Sequence, residues 1–67
     1  MSVAKVVEIS AESPVSFEAA IKEGVARASK TLKNLQSAWV KEQEVKIRDN
    51  QIVAYRVFLK VTFILED

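Results

Sequence analysis

Glu42, Glu44 and Arg56 are the residues of this 67-residue sequence whose types and spacing first suggest chemistry. Glu42 and Glu44 are two positions apart, so on a β-strand both carboxylates point to one face. Such a pair can gather a hard cation such as calcium if other copies add oxygens across a symmetry axis. The plainer reading is a solvated stretch, because no loop carries ligands at the regular alternate spacing of a calcium-binding loop. Arg56 can meet an anionic ligand, or serve as a cross-strand partner for Gln43 or for an acid of another chain. Catalysis is not expected. There is no histidine to act as a general base, no cysteine and no nucleophile with a base beside it, and the single glycine leaves no phosphate-binding loop.

Ten basic and nine acidic residues are interspersed, for a formal charge of +1. That balance argues against a nucleic-acid footprint or an anionic lipid surface as partner. Purely apolar runs reach at most four residues, far below the roughly 20 that a membrane span needs. The opening "MSVAKVVEIS" lacks the pattern of a signal peptide, so a soluble, cytoplasmic protein is expected. Residues 1–67 are expected to form a single domain whose small core needs a supplement. Without cysteine or histidine for a disulfide or a zinc site, oligomerisation is the remaining one.

The elements that must position these residues follow from periodicity. "VAKVVEIS", residues 3–10, is rich in β-branched types and reads as a strand, with Val3, Val7 and Ile9 on one side. Ser13 before Pro14 suits a helix N-cap, and Ser16 before "FEAA" competes with it one turn later. Phe17, Ile21, Val25, Ala28, Leu32 and Leu35 recur at spacings of three and four, which makes one apolar helical stripe. The helix is expected to end near Lys33 and Asn34. Gly24 and the alanines around it allow close packing against a neighbouring layer. A second strand is expected over residues 36–47, then a two-residue turn at Asp49 and Asn50. The third strand alternates Val53, Tyr55, Val57, Leu59, Val61, Phe63 and Leu65 on one face with Ile52, Ala54, Arg56, Phe58, Lys60, Thr62 and Ile64 on the other. With that turn, Trp39 faces Lys60, Gln43 faces Arg56 and Ser37 faces Thr62, all on the side away from the helix.

Lengths do not match. A strand of about 14 residues spans about 45 Å and a helix of about 18 residues only about 27 Å. One helix cannot cover its own sheet, so Val53, Tyr55, Phe58 and Ile64 are expected to be covered by other copies.

The β-α-β-β order, the segment "SFEAAIKEGVARASKTLKNL", the hairpin and the ending "YRVFLKVTFILED" resemble the dodecin family over essentially the whole chain. The resemblance implies an α+β fold in which a three-stranded antiparallel sheet wraps around one helix. It also implies a hollow homododecamer that holds flavins, riboflavin or FMN, between subunits without catalysis. In that family a tryptophan early in the second strand stacks on the flavin, and a glutamine after the tyrosine of the third strand bonds the ring's polar edge. Here Ser37 holds the place of that tryptophan, Trp39 follows two residues later on the same strand face, and Arg56 holds the place of the glutamine. The places of arginines that meet a flavin phosphate in bacterial relatives fall at Glu44 and Ile64. The resemblance thus makes Ser37, Trp39, Gln43 and Arg56 the candidate ligand-binding residues. Trp39 is either a displaced flavin platform or an interface residue packed on Lys60. A dodecin-like shell that has lost flavin and binds calcium, or serves as a scaffold, is the alternative.

Overall fold

The computed structural model describes residues 3–65. Strand β1 spans Ala4–Ser13, helix α1 Phe17–Ala28, strand β2 Leu35–Arg48 and strand β3 Gln51–Ile64. Both sequence-distant and hairpin pairings are antiparallel, and the sheet order is β1-β3-β2, so the most apolar strand lies in the middle. The α+β, β-α-β-β architecture is the one expected from the sequence.

Competition between caps is settled by the sheet. β1 runs three residues beyond the expected Ser10, because Ala11, Glu12 and Ser13 continue the ladder opposite Val57, Arg56 and Tyr55. Ser13 is therefore a strand residue, and its buried hydroxyl accepts a hydrogen bond from the Val15 amide at 3.0 Å. Ser16 becomes the N-cap, in extended conformation, with its hydroxyl accepting from the Ala19 amide at 3.0 Å. At the other end the helix stops at Ala28, well short of Lys33. The Ser29 hydroxyl donates to the Ala26 carbonyl at 2.7 Å, and the Lys30 and Thr31 amides turn back to the carbonyls of Arg27 and Ala28. These tighter bonds close the last turn and start the chain back toward β2. Asn34 does take the left-handed conformation, at φ 61°. It serves strand entry rather than the helix, since its carbonyl accepts from the Ile64 amide at 3.1 Å.

Asp49 and Asn50, at φ 53° and 62°, form the expected two-residue turn; two successive left-handed residues match the twist of the strands they join. The β1 register against β3 is unbroken. On β2 it breaks three times: Val53 is extra on β3, and Lys41 and Gln36 are extra on β2. Each extra residue is a bulge that slips the pairing by one.

Val57, Leu59 and Val61 of β3 are buried under Ala20 of α1, with Val7, Ile9, Ala11, Phe17, Ile21, Val25 and Leu35 around them. The helix lies across β1 and β3. Gly24 allows that approach: a Cβ there would stand 3.0 Å from the Ala11 Cβ. Twelve residues of helix span about 18 Å, against a long molecular axis of 51 Å. The mismatch is larger than expected, and it falls at the hairpin end, where Ile47 is 64% exposed and Ile52 and Val53 are exposed with it; Val40, opposite Leu59, is exposed as well because the helix lies over β1 and β3. Tyr55 departs from this pattern, because Phe17 covers it edge-on with ring centroids 5.1 Å apart. No helix among the described residues is long and apolar enough to cross a membrane.

Candidate functional site: the open face of the sheet

The face opposite the helix carries the polar side chains in cross-strand rows. From one end these are Val6, Thr62 and Ser37, then Glu8, Lys60 and Trp39, then Ser10, Phe58 and Glu42, and finally Glu12, Arg56 and Glu44. The expected pairs Ser37 with Thr62 and Trp39 with Lys60 are present.

Gln43 is not where the simple hairpin puts it. The Val53 bulge shifts the middle of β2 by one residue and the Lys41 bulge restores it, so between them Gln43 faces Val57, on the helix side, and Glu44 faces Arg56. A one-residue slip moves every side chain between the bulges to the other face. Gln43 is thus separated by the sheet from Trp39 and Arg56.

Arg56 is held from both sides within its own chain. Its Nη2 and Nε donate to Glu12 Oε1 at 2.8 and 3.1 Å, and its Nη1 donates to Glu44 Oε1 at 3.3 Å. Lys46 Nζ adds a contact to Glu12 at 3.7 Å, and Lys41 Nζ reaches Glu8 at 3.4 Å. Glu44 is therefore a partner of Arg56 rather than simply a solvated acid. Glu12 had no place in the sequence reading, because it precedes "SP" in what looks like a loop. Its opposite charge to Arg56 was visible, but a pairing between residues 44 positions apart leaves no local trace.

The hydrogen bond from Arg56 lowers the Glu12 pKa, with the nearby charges of Lys46 and Arg56 adding to it and partial desolvation opposing it. A carboxyl whose pKa is lower folded than unfolded contributes stability above its unfolded value and loses it as the pH falls through the folded one. The contribution of Glu12 is thus expected to disappear only below the ordinary glutamate range. In Arg56→Gln, an NMR titration of the Glu12 carboxyl should return toward the ordinary value. A titration unmoved by that substitution would contradict the assignment of cause.

Trp39 is 48% exposed. Among the described residues the one aromatic pairing is that of Phe17 with Tyr55, so no aromatic ring of the same chain stacks on the indole. Nor do any three acids among the described residues come close enough within one chain to hold a metal ion.

A single helix covers one face of a three-stranded sheet, and the other face is left open, bearing an exposed tryptophan among charged rows. The chain belongs to the dodecin family, whose profile matches residues 3–66. It is 38% identical over 63 residues to a protein named calcium dodecin from Mycobacterium tuberculosis, covering 94% of this chain and 89% of that one. The structure of that calcium dodecin, described as having a novel calcium-binding site, superposes with a TM-score of 0.85 at 35% identity, covering 97% and 93% of the two chains. An arginine-to-alanine variant of Thermus thermophilus dodecin superposes at 0.94 with 40% identity over 100% of both chains. Dodecin from Streptomyces davaonensis does so at 0.93 with 36% identity, over 98% of this chain and 97% of that one.

Proposed function

We propose that this chain is the noncatalytic subunit of a cytoplasmic homododecameric shell that sequesters a flavin, riboflavin or FMN, between subunits on the open sheet face. The observation that carries this reading is Trp39, a half-exposed indole with no aromatic partner among the described residues, on the face of a family fold associated with flavin binding. A flat ring system buries a large area against such a surface. Ser37 and Thr62 border the platform. Arg56, committed to Glu12 and Glu44 two rows from Trp39, lies outside the platform, and Gln43 lies on the opposite side of the sheet.

A second reading is favoured by a specific observation, the 38% identity to calcium dodecin. Glu42, on the same face, is in no ion pair among the described residues. Copies related by symmetry could bring several such carboxylates together around a calcium ion.

Titration with riboflavin and FMN is expected to quench Trp39 emission. Emission that stays unchanged at saturating flavin rules out the leading reading, and calorimetric heat on adding calcium to the same flavin-free protein would then establish the second.

A further inference from the structure

Away from the hairpin turn, where Arg48 lies, the open face carries four cations, Lys41, Lys46, Arg56 and Lys60, and three of them are neutralised in place. Lys41 is against Glu8, Lys46 against Glu12, and Arg56 between Glu12 and Glu44. Of those four, only Lys60 has no carboxylate within ion-pair distance among the described residues, although Glu8 stands directly opposite it on β1. The Glu8 carboxylate is drawn aside by Lys41, the residue that the β2 bulge places extra in the ladder. Lys60 is also half-buried at the centre of the sheet, where solvent screens a charge less than at the rim.

Its neighbours give that charge a use. Trp39 shares its row. The next row holds Ser37 and Thr62, about 7 Å away along each strand, and neither hydroxyl takes part in a side-chain hydrogen bond among the described residues. An ammonium and two unengaged hydroxyls beside an open indole make a seat for an anion joined to a flat ring. The ammonium and the hydroxyls donate to the anionic oxygens, and such charge-assisted bonds are the stronger kind.

We propose that Lys60, with Ser37 and Thr62, is the anion seat of this face, and that the ligand stacked on Trp39 is a planar aromatic carrying a phosphate or carboxylate, on the ring or on its side chain. This rests on the reading of Trp39 as a stacking platform and names the class of ligand it takes. Arg56, already balanced by two carboxylates, has no part in the preference.

The test compares wild type, Lys60→Gln and Arg56→Gln as the full chain, following the Trp39 indole N–H signal and its fluorescence. Two probe pairs are used: FMN against riboflavin, and quinoline-2-carboxylate against its neutral amide. Wild type is expected to bind the anionic member of a pair about tenfold more tightly. Lys60→Gln should erase that preference while leaving the neutral member's affinity in place, and Arg56→Gln should leave it intact. A preference that is absent in wild type, survives Lys60→Gln or disappears in Arg56→Gln overturns the proposal. If both flavins fail while quinoline-2-carboxylate binds with Lys60 dependence, the flavin reading falls and the anion seat stands. If flavins bind without preference for FMN, the reverse holds. If no probe perturbs Trp39, both are refuted.

Discussion

Phe58→Asp is expected to break the proposed shell into chains sedimenting near the 7.5 kDa of one copy, instead of about 90 kDa for twelve. Phe58 is central on the open face, between Ser10 of β1 and Glu42 of β2. A shell that covers this face buries the ring, and full burial of such a side chain stabilises by about 1.5–3 kcal/mol. Aspartate removes that gain and faces Glu42 directly across the ladder, where like charges repel. In a closed symmetric assembly every copy carries the same defect. The released chain is expected to lose its cooperative melting transition, because a 67-residue chain with a 12-residue helix has little core of its own. Phe58→Leu, which keeps the face apolar, should remain assembled. A Phe58→Asp protein that sediments as an intact dodecamer would refute the claim that sister copies cover this face.

Substituting valine for Gly24 should lower the melting temperature by about 10–20 °C, equivalent to about 2–3 kcal/mol in a domain of this size. Helix propensity alone argues the other way, since glycine in a helix costs about 1 kcal/mol relative to alanine. Contact decides the sign. The added Cβ would meet the Ala11 Cβ at 3.0 Å and the Leu59 Cδ1 at 3.4 Å. Leu59 can turn its methyl away, but the Ala11 Cβ is fixed to the β1 backbone, so the helix itself must lift. Gly24→Ala, with a single added carbon, should show a smaller loss, relieved when combined with Ala11→Gly. Non-additivity in that double-mutant cycle measures the contact. A higher melting temperature for Gly24→Ala would mean that propensity outweighs packing and that the approach is looser than the geometry requires.

The candidate site was partly legible. Trp39 opposite Lys60 and Ser37 opposite Thr62 follow from counting outward from the Asp49–Asn50 turn, because the shifts caused by the two bulges cancel before those pairs are reached. Gln43 and Arg56 fall between the bulges, where the same count is off by one. The partner of Arg56 on β1 could not be counted at all, since β1 joins β3 through a long connection that contains the helix.

What the sequence by itself determined was local: the order of the elements, the apolar alternation of β3, the left-handed Asp49 and Asn50, and the need of the lone helix's sheet for further cover. Each is set within a few residues, by side-chain periodicity or by which residue types tolerate a given backbone conformation. Only the tertiary structure decided that Ser13 stays in β1, that the helix ends at Ala28, and that Glu12 and Glu44 close on Arg56 while Lys60 is left unpaired. These depend on how far three twisted strands stay paired and where the ladder must slip by a residue, which is a balance over the whole sheet.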